Sequence, residues 1–265
     1  MLSQTSKRQQ GKGIKQSLIA IFRSFIIGVV TLLATPIWLW IAISKWEWVS
    51  TTWHTASNAV DIRTTHTFKD ESKIKTVLSK QPALLRGLHE KSAEWQLAEG
   101  YCGSATQRVI LNSIPGFDTR VFPEQKRGAQ NLTGFAARMD EIAANGGINV
   151  RTSVWYGDQD YEEFLDALRK VNKMKYRVAA NFLRSPLIGI NYGMDFLIKV
   201  FLGGHFSPVV GFDEEEGLVA VFDVNENYGL FLVDVKQFYE SVRTFDLFSG
   251  KWRGLAILEL ETDFD

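Results

Sequence analysis

The longest unbroken apolar run, SFIIGVVTLLATPIWLWIAI from Ser24 to Ile43, carries no charged residue. At about 1.5 Å rise per residue a helix of that length spans about 30 Å, the thickness of a bilayer core. Residues 24–43 are therefore predicted to be a transmembrane helix. Trp38, Trp40, Trp46, Trp48 and Trp53 gather at its far end as an interfacial belt, and Pro36 is a kink that membrane helices tolerate. A cleaved signal peptide has a shorter apolar core and a small-residue cleavage site. Here Trp and Lys stand where that site belongs, which favours an uncleaved anchor. Residues 44–84 then turn polar, Thr-rich and weakly periodic, and read as a connector, with a short helix from Glu71 to Leu88 broken near Pro82.

Beyond residue 85 the patterning gives helices first and strands afterwards. Ala105, Val109 and Ile110 share one helical face after Cys102, and Pro115-Gly116 closes that helix. Phe135, Met139, Ile142 and Ala143 recur at helical spacing between Gly134 and Asn145, stopped by Gly146-Gly147. INVRTSVW reads as a strand. Asp160, with Glu163 three residues on, opens a helix whose apolar face is Tyr161, Phe164, Leu165, Leu168 and Val171. RVAANFLR is a short strand, and HFSPVVGF and GLVAVFDV flank the turn DEEEG as a hairpin. Val235 to Thr244 is a helix and GLAILEL a closing strand. The fold class is α+β.

Charge adds a topology. Residues 1–23 hold Lys7, Arg8, Lys12, Lys15 and Arg23 and no acid. The positive-inside rule keeps this basic tail in the cytoplasm and puts the larger domain outside, periplasmic in a bacterium. Over the whole chain 30 basic residues balance 30 acidic ones, so nothing marks a polyanion partner and nucleic acid is disfavoured. A single cysteine excludes an internal disulfide and a CxxC-type zinc site.

That cysteine, Cys102, opens a predicted helix, where the positive end of the dipole favours a thiolate. Of the four histidines, His54 and His66 lie in the connector and His89 precedes a charged stretch. His205 instead follows Gly203-Gly204 and opens an apolar strand, where the glycines leave room for a ligand. Asp223 ends the partner strand, and antiparallel pairing brings it within reach of the imidazole. Gln96, six residues before Cys102, is a candidate oxyanion donor together with the Cys102 backbone N–H. Taken alone a lone cysteine is usually a buried small hydrophobe. The four residues together make Cys102 a candidate nucleophile, with His205 and Asp223 as its partners.

The segment Gln96-Leu-Ala-Glu-Gly-Tyr-Cys102-Gly running into VILNSI is similar to the nucleophile motif of phytochelatin synthases. GGHFSPVVGFD followed by VAVFDV resembles that family's histidine and aspartate segment. NFLR at Asn181–Arg184 and WRGLAIL around Arg253 match as well, so the resemblance covers residues 85–260. It implies a papain-like cysteine peptidase fold for residues 85–265, a helical part carrying the nucleophile and then an antiparallel sheet. It also implies the roles of nucleophile for Cys102, base and acid for His205, orienter for Asp223 and oxyanion donor for Gln96. Cys102 would attack the Cys–Gly bond of glutathione, release glycine and hold a γ-glutamylcysteinyl thioester. Water or a second glutathione would then take the acyl group. The resemblance implies no protein-bound cofactor or metal site; a heavy-metal ion such as Cd²⁺ or Zn²⁺ rides on the glutathione thiolate. Arg184, Arg253 and Gly204 are the candidate substrate-binding residues, the arginines because a guanidinium suits a peptide carboxylate; an ordinary salt bridge is the alternative.

Two departures stand out. After Asp223 the family has an Arg/Tyr/Lys-Tyr-Pro-Pro stretch where this chain has Val-Asn-Glu-Asn-Tyr-Gly. An apolar insertion, IGINYGMDFLIKVFL, precedes Gly203, and Met194 to Leu202 reads as an extra core helix, a lid or a membrane contact. The competing readings are a papain-like peptidase acting on another extracytoplasmic peptide, and a catalytically silent, membrane-tethered binding module.

Overall fold

The computed structural model describes residues 35–36, 39–40, 43–79, 94–128, 130–190 and 200–261. The basic tail, His89, most of the predicted transmembrane helix and most of Met194–Leu202 lie outside those residues. Among the described residues no helix is long and apolar enough to cross a membrane. Contacts divide the chain after Ser50, within its first described long helix, and the unit Thr51–Asp265 holds the sheet and its cores.

Its centre is a six-stranded antiparallel sheet in the order β1-β8-β2-β3-β4-β5. The strands are β1 (Val150–Tyr156), β2 (Tyr176–Leu183), β3 (Gly204–Asp213), β4 (Leu218–Asp223), β5 (Gly229–Asp234) and β8 (Gly254–Leu260). A two-stranded ribbon, β6 (Phe245–Asp246) with β7 (Lys251–Trp252), stands apart from it. The last strand is inserted between β1 and β2, as Trp155↔Leu255 and Ala180↔Leu255 record. Strands β2, β3 and β4 are buried nearly throughout, which is why their sequences read as continuous apolar runs. The edge strand β1 alternates exposed and part-buried positions.

Period-two geometry sends alternate side chains to opposite faces. Val178, Ala180 and Phe182 join a core with Phe164 and Leu168 of helix α5 (Tyr161–Arg169) and Phe238 and Val242 of helix α7 (Val235–Val242). Ala179, Phe206, Ala256 and Leu258 join the other, with Ile110 and Leu111 of helix α3 (Cys102–Asn112) and Phe135 and Met139 of helix α4 (Leu132–Asn145). Each fully buried large side chain contributes roughly 1.5–3 kcal/mol. Helix α4 begins two residues before the predicted Gly134, because the Asn131 side chain accepts the Gly134 N–H at 2.7 Å. Asp160 caps α5 as expected, accepting the Glu163 N–H at 2.8 Å.

From Thr51 onward, the described part of the predicted connector is integral to the domain. After helix α1 (Trp46–Asn58), Ile62 is buried in the first core. Phe68 stacks on Phe231 at 5.3 Å, and its carbonyl accepts the Leu232 N–H. Val77 and Leu78 of helix α2 (Glu71–Ser79) pack in a third core with Ala105, Val109, Val210 and Phe222. Apolar residues spread over several short turns give no helical or strand period, so their burial has no signature in the sequence. The short helix α6 (Ser185–Ile188) follows β2, and Ser185 Oγ donates to the Val200 carbonyl at 2.9 Å.

The C-terminal end of α3 is held by a buried cation. Arg177 donates from Nε to Ser113 Oγ at 2.8 Å, from Nη2 to the Ser113 carbonyl, and from Nη1 to the carbonyls of Met174 and Tyr176. Burial pushes its guanidinium down to about 10, and it stays charged at neutral pH at the negative end of the helix dipole.

Candidate active site

Cys102 is the first residue of α3, and Tyr101 before it makes no side-chain cap to the helix. The first-turn N–H groups of a helix have no intrahelical partner, so the positive end of this one is free to act on the sulfur. The helix is tied to β3 by Thr106, whose hydroxyl donates to the Phe206 carbonyl at 2.9 Å in the core. Phe206 in turn stacks on Phe135 at 4.5 Å. These contacts fix α3 against the strand that carries His205, the second residue of β3, paired with Phe182 of β2. The pairing of β3 with β4 runs to Val209↔Val221, and beyond it the two strands bring His205 and Asp223 to the same end of the sheet.

There His205 Nε2 lies 2.7 Å from Asp223 Oδ1, with both side chains buried. Arg184, just after β2, adds Nη2 at 3.3 Å from each Asp223 oxygen and 3.0 Å from His205 Nε2. A bond from Arg184 to a bare Nε2 would leave that nitrogen's lone pair facing the carboxylate at 2.7 Å. The consistent assignment has Nε2–H donating to Asp223, with Arg184 a second donor to the same carboxylate. That leaves Nδ1 as the ring nitrogen for the thiol. Asp223 also accepts the Asn225 N–H at 2.7 Å, and the Tyr228 ring lies 4.9 Å beneath the Arg184 guanidinium.

The electrostatics follow from these contacts. Burial pushes the Cys102 thiol up, but the charge and hydrogen bond of His205, the Phe206 N–H and the charge of Arg184 together bring it below the ordinary thiol value. Burial alone would lower His205; Asp223 foremost, and the Cys102 thiolate, raise it past the opposition of Arg184. Asp223, although buried, is held below the usual carboxylate range by His205, Arg184 and the Asn225 N–H. All three shifts run in the direction of a thiolate–imidazolium pair beside an ionised carboxylate.

Cys102 and His205 line a cavity of about 570 Å³ together with Arg184, Gly204, Tyr228 and Arg63. Gln96 is anchored next to this group by its backbone N–H on the Val224 carbonyl at 2.8 Å, one residue past Asp223, and its Oε1 is buried without a hydrogen-bond partner. Its neighbours are fixed too. Trp95 stacks on Phe222, and Gln125 bridges the Trp95 carbonyl and the Leu97 N–H.

The two arginines differ in position. Arg184 lines the cavity while engaging Asp223. Arg253 is buried and donates from Nη1 to Asn181 at 3.2 Å, with Nη2 3.6 Å from Asp246. Burial lowers its pKa, opposed by Asp246 and by Cys102. Gly204 explains how it fits, because a Cβ at that position would stand 2.2 Å from Arg253 Nη1. Gly204 also lines the cavity, so the glycine read as room for a ligand makes room for this guanidinium as well. Of the other histidines, His54 and His66 are exposed.

Arg63, Glu99 and Asn225 also line the cavity, and none of them carried a role of its own in the sequence reading. Asn225 sat in the segment flagged as a departure from the family. Arg63 lay in the connector, and its only local signal was the Asp61-x-Arg63 pair of an Asx turn.

The sequence pattern of the phytochelatin synthase family matches residues 88–255. The glutathione gamma-glutamylcysteinyltransferase of Schizosaccharomyces pombe (strain 972 / ATCC 24843) is 44% identical over 164 residues, which cover 60% of this chain and 39% of that protein. The match thus takes in less than half of the relative's own length. Among solved structures, the chain is similar to a double glycine motif protease from an AMS/PCAT transporter in complex with its leader peptide. That likeness has 12% identity and a TM-score of 0.36, over 65% of this chain and 96% of the other. It is also similar to the peptidase domain of Streptococcus ComA, at 15% identity and a TM-score of 0.34, over 63% and 96%. Neither superposition is close enough to bear on fold or chemistry. The family match spans all three residues of the Cys102, His205 and Asp223 cluster, and the chain belongs to the phytochelatin synthase family.

Proposed function

We propose that this chain is a cysteine acyltransferase of papain-like fold that cleaves the Cys–Gly bond of glutathione. The observation that carries the reading is the His205–Asp223 contact at 2.7 Å, with His205 lining one cavity with a thiol held below its ordinary pKa. Cys102 attacks the cysteinyl carbonyl, and the Cys102 N–H and the Gln96 amide receive the developing oxyanion. His205, charged in the resting pair, gives its proton to the leaving glycine amine, while Asp223 keeps the ring oriented. The product is a γ-glutamylcysteinyl thioester. Water or the amine of a second glutathione then attacks it, with His205 taking the proton. A Cd²⁺ or Zn²⁺ ion on the glutathione thiolate is substrate in this scheme.

The test is intact-protein mass spectrometry after brief incubation with glutathione, alongside Cys102→Ala. An adduct of γ-glutamylcysteine mass, stable to disulfide reductants and absent in the variant, is expected. Folded protein that yields neither adduct nor free glycine would move the assignment to a different peptide substrate.

The proposed location rests on the sequence pattern. Residues 24–43 anchor the chain in a membrane, and the domain lies on the outer or periplasmic side. A C-terminal reporter active only outside the cytoplasm is the expected result; cytoplasmic activity would reverse the orientation.

A further inference from the structure

Arg63 lines the cavity from a segment that precedes the family-matched residues 88–255. Its position is tightly specified. Ile62 before it is buried in the core. Asp61 caps the Ile62–Thr64 turn and accepts the Arg63 N–H at 3.0 Å. The Val60 carbonyl accepts from Gln237 Nε2 of α7 at 2.7 Å. Asp61 also grips one edge of the guanidinium, taking Nε at 2.8 and 3.0 Å and Nη2 at 2.5 Å. Nη1 has no partner among the described residues, so a planar pair of donors remains on a half-exposed side chain that lines the cavity.

The charge of Arg63 couples to Asp61 and to Tyr228, whereas that of Arg184 acts on Cys102 and His205. Tyr228 interacts with both, its ring under Arg184. Both cations line the cavity with Cys102, and of the two only Arg184 is among the charges that act on its thiol.

We propose that Arg63 binds a substrate carboxylate that lies several bonds from the reacting carbonyl, and so makes the N-terminal segment a determinant of substrate choice. The inference rests on the glutathione reading above. Such a carboxylate has two sources. One is the α-carboxylate at the γ-glutamyl end of the acyl donor. The other is the C-terminal carboxylate of the acyl acceptor, whose amine attacks the Cys102 thioester. In that step the new C–N bond forms, the C–S bond breaks, the amine proton passes to His205 and the sulfur leaves as thiolate.

The test uses the full chain and two pairs of probes. The donor arm compares thioester formation from glutathione and from its γ-glutamyl α-carboxamide. The acceptor arm keeps glutathione as donor and compares transfer to γ-glutamylcysteine and to its C-terminal carboxamide, read by product mass. In one arm the native protein should favour the carboxylate roughly tenfold or more in kcat/KM, the range of a charge-assisted bond. Arg63→Gln should bring that ratio close to one, and Arg63→Lys should retain part of it. The ratio is independent of how much folded enzyme each variant yields. A thioester that forms normally, with both ratios unchanged in Arg63→Gln, overturns the Arg63 assignment alone. No thioester in the native protein overturns the assignment together with the reading beneath it.

Discussion

His205 is pulled both ways by its neighbours, and the sign of each pull is testable. Asp223 raises its pKa and Arg184 lowers it, while His205 and Arg184 both lower Cys102. Asp223→Asn removes the principal support of the imidazolium, so His205 falls and, with it, the support of the thiolate. The pH window of the ion pair should narrow from both sides, and kcat should drop by roughly 10²–10⁴-fold. The pH dependence of iodoacetamide alkylation of Cys102 would report the first effect and steady-state glycine release the second. Arg184→Gln works differently. Without that cation both Cys102 and His205 rise, so both limbs of the pH–rate profile should move to higher pH. An acid limb that stayed in place would show that Arg184 acts on the substrate instead of on the pair.

At the level of elements, most helices and strands were legible because their apolar spacing is regular. The α4 face of Phe135, Met139 and Ile142 and the closing strand Gly254–Leu260 are examples. Boundaries moved where a cap decided them, as with Asn131. What could not be read was close approach between elements. Gly204 looked like a ligand gap, and although it does line the cavity it also accommodates Arg253. Gly204→Ala should therefore displace a guanidinium fixed by Asn181 and cost about 1–3 kcal/mol, seen as a lowered Tm together with reduced thioester formation. Thr106→Val keeps the shape of the α3–β3 contact but leaves the buried Phe206 carbonyl without its donor. A loss of about 1–3 kcal/mol in urea unfolding is expected, and an unchanged midpoint would mean that water replaces the hydroxyl.

For the whole molecule, the Cys102–His205–Asp223 cluster was accessible to sequence reading because motif and hairpin each fixed one part of it. Arg63 was not, since a cavity wall assembled from a distant turn has no linear signature. The unit Thr51–Asp265 includes the turns around Ile62 and Phe68 and the helix Glu71–Ser79. A chain starting at residue 51 should accordingly unfold in a single cooperative transition. One starting at residue 85, which the connector reading would permit, should expose the core faces left by Ile62, Val77 and Leu78 and bind a hydrophobic dye. Those turns also decide which peptides can reach the thiol. Strand β5 ends the sheet beside the cavity, but its outward N–H at Leu232 is taken by Phe68, and its carbonyl at Leu230, with that of Tyr228, by Lys69. A long substrate recognised by strand addition needs those groups free. With that border closed to such augmentation, the proposed substrate is a compact peptide held by its charged ends, since an extended polypeptide chain cannot add to the sheet there.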